Sequence, residues 1–239
     1  MLRSIGEKAR RFLEPGSVPE RSSGRIINPR TTRAKYERIA RFYDLLDLYF
    51  EYGRYRPLRA QLFEGLSGRI LDAGVGTGRN MPFYPEGTEV VGIDISPTML
   101  SRAGQRRDRL GLKVDLFEMD VLKTGFPDQH FDNVVATFLF CVLDKAQQLP
   151  ALQELRRICK PTGSIHILEY SWAQRPLQRT IMQLWAPWVR WAYGAEFDRD
   201  TEQYADAAAL KVVENRFVYR DIIQLITARP AATPQGNTA

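Results

Sequence analysis

Two acidic residues and three glycines form the part of the sequence with the clearest chemical meaning. Asp72 follows a short apolar run, and Asp94 ends a second apolar run further along the chain. Gly74, Gly76 and Gly78 stand between them. Glycine adopts positive φ without strain and lets backbone N–H groups approach a ligand closely. Because an acid at the end of the second strand is placed for ribose hydroxyls, the segment predicts a nucleoside-binding site.

The spacing of the glycines distinguishes two kinds of nucleoside ligand. A dinucleotide-binding turn has the pattern G-x-G-x-x-G, whose last glycine lets the helix pack close to the pyrophosphate. Here the pattern is G-x-G-x-G followed by Arg79-Asn80-Met81, so the third glycine is out of that spacing. The preceding Asp72 would also repel a pyrophosphate, whereas its charge suits a cationic amino-acid group. We therefore expect a nucleoside that carries an amino acid.

This pattern of one acid and three alternating glycines resembles motif I of the class I S-adenosylmethionine-dependent methyltransferases. The resemblance implies that Asp72 helps to hold the methionyl end of the cofactor while the glycines make room for it. It implies that Ile95 packs on adenine and that Asp120 accepts a hydrogen bond from the adenine amine. For each acid taken alone, a solvated turn is the alternative interpretation. The cofactor-binding residues predicted in this way are Asp72, Gly74, Gly76, Gly78, Asn80, Asp94, Ile95, Asp120, Val121 and Thr137.

The elements that must position these residues alternate between short apolar runs and helical patterns, which predicts parallel βαβ units. Strands are predicted at 69–73, 88–93, 112–118, 131–138 and 163–169, followed by a strand pair at 211–219 and 221–228. Helices are predicted at 32–50, 57–64, 79–84, 97–109 and 147–159. The resemblance implies an α/β, Rossmann-like fold. Its seven-stranded sheet is mostly parallel with the last strand antiparallel, has helices on both faces, and is preceded by a helical extension.

Candidate catalytic residues come from two places. Tyr36 and Tyr43 belong to a segment that resembles the N-terminal Y-x-x-x-A-x-x-Y-D signature of quinone and phospholipid methyltransferases. The resemblance implies that they face the sulfonium or the acceptor, where an aromatic face stabilises a cation; core packing of Tyr43 is the alternative. Methyl transfer requires a general base only if the nucleophile arrives protonated. Glu169, at the end of the fifth predicted strand, is the candidate for that base.

The acceptor side is predicted in residues 172–209, where the family builds its acceptor pocket. All four tryptophans lie within residues 172–191. Five apolar side chains share one face of a predicted helix that Pro187 interrupts: Leu177, Ile181, Leu184, Trp185 and Trp188. This face is interpreted as a cover over the acceptor, as a membrane-interface element, or as ordinary core packing.

The basic charge of the chain is concentrated near its beginning. Residues 1–41 contain eleven Lys or Arg and four Asp or Glu, a net charge of +7, whereas the whole chain carries +6. Residues 2–14 show helical apolar spacing, so they predict a basic amphipathic helix that binds an anionic membrane or a partner. A helix that caps its own core is the alternative. We therefore divide the chain into an arm and linker at 1–28, a single methyltransferase domain at 29–228 and a disordered tail at 229–239.

Several classes of protein are disfavoured by the sequence. It has no apolar run of 18 residues and no recognisable signal peptide, so we expect a cytoplasmic protein, with peripheral attachment to the inner face of a membrane as an extension of that prediction. Two cysteines and two histidines at these spacings do not predict a zinc site. Nucleic acid is not the expected partner, because no separate binding module is recognisable.

Over residues 32–170 the chain resembles the methyltransferase domain 11 type, which includes bacterial phosphatidylethanolamine N-methyltransferases and quinone C-methyltransferases. The resemblance implies methyl transfer from S-adenosylmethionine to a lipid or lipophilic small molecule, first of all the amine of a phospholipid headgroup. Methylation of a quinone carbon or a thiol, a nicotinamide dehydrogenase and a cofactor-binding scaffold without catalysis are the alternatives.

Overall fold

A seven-stranded sheet forms the centre of the protein in the computed structural model, which describes residues 55–193 and 201–231. The strands are β1 (Arg69–Ala73), β2 (Glu89–Asp94), β3 (Val114–Glu118), β4 (Phe131–Thr137), β5 (Cys159–Tyr170), β6 (Leu210–Tyr219) and β7 (Ile223–Pro230). The helices are α1 (Arg56–Phe63), α2 (Pro97–Leu110), α3 (Lys145–Ile158) and α4 (Pro176–Tyr193). Short 3₁₀ helices lie at Met81–Phe83, Phe140–Val142 and Thr201–Tyr204.

The strand order across the sheet is β3-β2-β1-β4-β5-β7-β6. Strands β1 to β5 are parallel, whereas β7 pairs antiparallel with both β5 and β6. The predicted seven-stranded, mostly parallel sheet with an antiparallel last strand is therefore confirmed. Because the order reverses between β1 and β4, the switch point at which such sheets bind ligands lies at the carboxyl end of β1.

Successive residues of the central strands pack on opposite faces of the sheet. Leu71 and Val134 belong to a buried cluster that includes side chains of α3, whereas Ile70 and Val135 belong to a second cluster that includes side chains of α1. Side chains of a strand alternate between its two faces, so both faces of β1 and β4 are covered by helices. This explains why the central strands appear in the sequence as continuous apolar runs.

The ends of α2 follow from its sequence. The Ser96 hydroxyl accepts a hydrogen bond from the Met99 N–H at 3.4 Å, and Pro97 occupies the first helical position. Gly111 ends the helix with a φ of +65°, a conformation that favours glycine.

The predicted helix at 79–84 is wrong, because only a 3₁₀ turn forms there. Tyr84 precedes Pro85 and has an extended backbone with a ψ of 128°, as residues before proline prefer, so the turn cannot continue as an α-helix.

Parts of the predicted organisation lie outside the described residues. These are the arm and linker at 1–28, the helix at 32–50 with Tyr36 and Tyr43, and positions 232–239 of the predicted tail. Strand β7 runs to Pro230, two residues beyond the predicted boundary. Within the described part of the chain, every helix is too short or too polar to cross a bilayer.

Two glycines of α2 provide a test of its local energetics. An added Cβ would meet no atom within 4 Å at Gly104, inside the helix, or at Gly111, at its end. We expect Gly104→Ala to raise the free energy of unfolding by about 0.5–1 kcal/mol, because alanine is the better helix former. Gly111→Ala should lower it by about 1–2 kcal/mol, because of its positive φ. Urea unfolding measures both, and equal effects of the two substitutions would contradict the assigned helix end.

Candidate active site

The glycine-rich loop folds tightly across the carboxyl ends of β1 and β2. The N–H groups of Gly74 and Val75 both donate to the Ile93 carbonyl at 2.9 Å. Gly74, Gly76 and Gly78 have φ values of +73°, +54° and +78°. This backbone path favours glycine at all three positions.

The three glycines differ in what surrounds them. A Cβ at Gly74 would lie 2.9 Å from Leu139 Cδ1, and one at Gly78 would lie 2.8 Å from Met81 Cε. These two glycines therefore allow close packing as well as positive φ. At Gly76 the nearest atom to an added Cβ is the Gly74 carbonyl oxygen at 3.9 Å, so this side of the loop is open. Gly76 is thus the position at which the loop backbone is accessible to a ligand.

The Asp94 carboxylate holds this loop in place at the end of β2. Its Oδ2 accepts a hydrogen bond from the Gly76 N–H at 2.9 Å, and its Oδ1 accepts one from the Ser96 N–H at 2.8 Å. Burial raises the pKa of Asp94 to about 6, against the lowering effect of these two backbone donors. Each carboxylate oxygen can accept a second hydrogen bond. The partly exposed Asp94 is therefore able to bind a vicinal diol beside the open face of Gly76.

The Asp72 carboxylate is in a very different environment, since it is completely buried. The Asn80 side-chain amide donates to both of its oxygens at 3.0 Å, and the Tyr84 hydroxyl donates to Oδ2 at 2.6 Å. Asn80 also donates to Thr137 Oγ1 at 3.1 Å, and its Oδ1 accepts from Arg59 Nη1 at 2.7 Å. Burial raises the pKa of Asp72, while the hydrogen bonds of Tyr84 and Asn80 and the charge of Arg59 oppose that shift.

This network brings together three of the predicted cofactor residues, namely Asp72, Asn80 and Thr137. It also contains Arg59 and Tyr84, which the sequence analysis missed. A buried carboxylate requires donors or a counter-charge, but the sequence does not indicate which residues supply them. The direct contact of Asp72 with the methionyl end stays a prediction, because the carboxylate is completely buried and is hydrogen-bonded to Asn80 and Tyr84.

The predicted adenine side lies along the same edge of the sheet. The Met119 N–H donates to the Asp94 carbonyl at 3.1 Å, so the end of β3 lies beside the end of β2. Asp120 follows directly, and its Oδ1 accepts a hydrogen bond from the Leu122 N–H at 2.9 Å. Ile95 is partly exposed and Val121 is buried. The structure thus gives Asp120 the role of shaping a turn, and its contact with an adenine amine stays a prediction.

An aromatic cluster lies on the other side of the switch point, after β4 and β5. Phe138 stacks on Tyr170 with ring centroids 4.7 Å apart, and the Tyr55 ring lies 5.3 Å from Phe138. The hydroxyls of Tyr55 and Tyr170 are hydrogen-bonded at 2.8 Å. The Arg59 guanidinium lies 5.7 Å from the centre of the Phe138 ring. The cluster was not predicted, because its members are far apart in sequence.

Phe138 has a φ of +52°, a strained conformation for an aromatic residue that costs on the order of 1–3 kcal/mol. Its N–H donates to the Leu168 carbonyl at 2.8 Å, which holds the backbone in place. Strain of this kind is retained where the surrounding structure fixes it, frequently at functional sites. Here it turns the chain at the end of β4, so that the ring lies against Tyr55 and Tyr170.

Glu169 is completely buried near this cluster, at the end of β5. Its Oε1 accepts from the Tyr170 N–H at 2.8 Å, and its Oε2 accepts from the Cys141 N–H at 3.0 Å. Burial raises the pKa of Glu169 to about 7. The carboxylate therefore anchors the 3₁₀ helix Phe140–Val142 to β5, and its role as a base stays a prediction.

Within the described residues, no group of three or more acidic, His or Cys side chains is arranged to hold a metal ion.

Several known methyltransferases are similar to this chain. A family described as a methyltransferase domain matches residues 70–163. A phosphatidylethanolamine N-methyltransferase from Cereibacter sphaeroides is 38% identical over 105 residues, which cover 43% of this chain and 51% of that relative. The chain thus spans about half the length of this relative.

A second relative covers more of the chain. A demethylmenaquinone methyltransferase from Thermobifida fusca is 31% identical over 188 residues, which cover 74% of this chain and 77% of the relative. Among solved structures, that of a SAM-dependent methyltransferase from Aquifex aeolicus matches with a TM-score of 0.56 and 20% identity, over 86% of this chain and all of that one. At this identity, the structural match shows the shared fold alone.

The raised pKa of Asp94 predicts a pH-dependent affinity for S-adenosylmethionine. Hydroxyl donors stabilise the ionised carboxylate, so a bound ribose lowers this pKa, and binding near pH 6 releases protons. We expect the affinity to fall about tenfold from pH 7 to pH 5, measured by isothermal titration calorimetry. Asp94→Asn should bind more weakly but without this pH dependence. An unchanged pH profile in that variant would assign the titration to another group.

Loss of the Asn80 amide tests the buried network. We expect Asn80→Ala to lower the free energy of unfolding by about 1–3 kcal/mol, because it removes donors from a carboxylate that water does not reach. Asn215→Ala is the matched control, since Asn215 is exposed and donates to Glu202 at the surface. Its effect should stay within about 0.5 kcal/mol. Urea unfolding measures both variants. Equal losses of stability would show that the buried network contributes no more to the free energy of unfolding than a hydrogen bond at the surface.

Proposed function

The chain belongs to the S-adenosylmethionine-dependent methyltransferases, and we propose that it transfers a methyl group to a lipid or a lipophilic small molecule. The acceptor proposed first is the amine of a phospholipid headgroup, as in phosphatidylethanolamine. The relative named phosphatidylethanolamine N-methyltransferase supports this choice. The observation that carries the methyl transfer itself is the pairing of Asp94 with the open Gly76 backbone at the switch point of the sheet.

The residues at the switch point fit the cofactor. A carboxylate with free acceptor positions beside an open glycine suits a ribose, and a buried, donor-rich turn is adjacent to it. When bound, S-adenosylmethionine supplies an electrophilic methyl group on a sulfonium. The protein must then align the acceptor in line with that group and exclude water from the site. We propose Asp94 and Gly76 for the ribose and Asn80 and Thr137 for the methionyl side.

The acceptor side is proposed to lie at the aromatic cluster of Tyr55, Phe138 and Tyr170. Electron-rich rings there would stabilise the positive charge of a sulfonium or of a methylated amine, an effect of roughly 0.5–2 kcal/mol per contact. A protonated headgroup amine must lose a proton before its lone pair forms the new N–C bond. Glu169 is the proposed acceptor of that proton. The apolar helix α4 follows Tyr170 closely, which suits a lipophilic acceptor.

Methylation of a quinone carbon is the second candidate. The supporting observation is that the demethylmenaquinone methyltransferase aligns with three quarters of this chain, including much of the region outside residues 70–163. A quinone also needs an apolar binding surface. A scaffold that binds the cofactor without turnover is the third candidate. The dehydrogenase alternative is set aside, because the chain belongs to the methyltransferases.

Methyl incorporation distinguishes the acceptors. The purified full-length protein is incubated with S-adenosylmethionine labelled in its methyl group and with phosphatidylethanolamine or demethylmenaquinone in neutral detergent micelles. We expect label in methylated phosphatidylethanolamine at least tenfold above that in the quinone and above a control without acceptor. Label in the quinone alone would favour the second candidate. Cofactor binding by calorimetry with no incorporation into either acceptor would favour the scaffold.

A further inference from the structure

Helix α4 exposes an apolar face that no described element covers. Five side chains are exposed: Leu177, Ile181, Leu184, Trp185 and Trp188. At 3.6 residues per turn they fall within an arc of about 100°. Between Pro176 and Trp188, three residues are partly buried and all the others are exposed. The three are Gln178, Met182 and Ala186, which lie on a different face of the helix. The helix therefore rests on the protein along a narrow stripe and presents its largest apolar side chains outward.

The charges on this segment identify the kind of partner. From Ser171 to Tyr193 the sequence contains three arginines and no Asp or Glu. Arg179 is exposed on the helix, and Arg175 is exposed just before it, close to the Asp221 carboxylate. The Trp185 and Trp188 rings are in edge-to-face contact, with centroids 5.8 Å apart. Exposed aliphatic side chains, tryptophans and arginines on one helix are the combination that inserts into the headgroup region of an anionic bilayer.

The position of the helix connects this face to the active site. The N–H groups of Gln174 and Arg175 donate to the Asp221 carboxylate at 2.9 and 3.1 Å, which fixes the start of α4 at the turn between β6 and β7. That turn lies at the carboxyl end of β5, where Tyr170 stacks on Phe138. The exposed apolar face thus begins at the edge of the sheet that carries the glycine-rich loop and the aromatic cluster.

We propose that the exposed apolar face of α4 docks the protein on an anionic lipid surface, with the helix lying in the plane of the interface. This inference rests on the proposed function only in placing a lipid acceptor near the site. It differs from the prediction for residues 1–14, because it assigns docking to a helix of the catalytic domain. The helix has 18 residues and is therefore about 27 Å long, so its apolar side chains are spread over several turns.

Vesicle binding tests this surface with a matched pair of variants. Leu177→Gln/Leu184→Gln changes two side chains of α4 that are 75% and 76% exposed, so the fold has little reason to change. Val213→Gln/Phe217→Gln is the control, since these β6 side chains are 48% and 39% exposed elsewhere on the surface. The full-length proteins are sedimented with vesicles of equal parts phosphatidylglycerol and phosphatidylcholine, without cofactor. Circular dichroism verifies that each variant is folded.

We expect the wild-type protein to bind these vesicles and to bind pure phosphatidylcholine weakly. The α4 variant should bind the anionic vesicles at least tenfold more weakly than the wild type, and the control variant should stay within twofold of it. Wild-type protein that does not bind, or an α4 variant that binds as tightly as the wild type, would overturn the proposal. The second result would assign any membrane binding to other segments, including residues 1–14.

Two further readouts keep the outcomes separate. Should the wild type form a dimer in analytical ultracentrifugation that the α4 variant loses, without vesicle binding, the face is an interface between two copies and the proposal is wrong. Because the vesicles lack any amine acceptor of the ethanolamine type and the cofactor is omitted, binding does not depend on the methylation reaction. Vesicle binding without methyl incorporation would contradict the proposed acceptor alone, and incorporation without vesicle binding would contradict the docking surface alone.

Discussion

The burial of the Asp72 carboxylate is the constraint on which the site depends. A carboxylate that water does not reach is stable only if donors or a counter-charge replace its hydration. Asn80 and Tyr84 supply the hydrogen bonds. The nearby Arg59, which also donates to Asn80, supplies the positive charge. These partners come from the turn after the glycines and from α1. One buried charge therefore fixes the position of the loop, of α1 and of the end of β1 relative to one another.

The two acids at the ends of β1 and β2 do different work because their surroundings differ. Asp72 lies behind Asn80 and Tyr84, so it organises the turn. Asp94 is partly exposed and uses one oxygen to hold the Gly76 N–H and the other to hold the Ser96 N–H. The same type of side chain thus serves as a completely buried anchor in one case and as a partly exposed acceptor, proposed to bind the ribose, in the other. In the sequence both acids simply end an apolar strand. The difference between them becomes visible only in the structure, where Asp72 is completely buried and Asp94 is partly exposed.

The sequence predicted the features that depend on local periodicity and on motif spacing. The parallel strands follow from apolar runs, and the start and end of α2 follow from Ser96, Pro97 and Gly111. It failed at residues 79–84, where tertiary hydrogen bonds of Asn80 and the extended backbone of Tyr84 before Pro85 override helical spacing. It also gave no indication of the Tyr55–Phe138–Tyr170 cluster, because contacts between residues far apart in the chain leave no periodic signal.

Arg59 joins the two halves of the site. It donates to Asn80 on the proposed cofactor side, and its guanidinium lies over the Phe138 ring on the proposed acceptor side. The strained Phe138 backbone brings that ring within reach of α1, and the ring in turn packs against Tyr170, the last residue of β5. A displacement of α1 would therefore disturb the donors around Asp72 and the aromatic cluster together. Both contacts come from a single side chain of α1, so the position of α1 determines the geometry on both sides of the switch point.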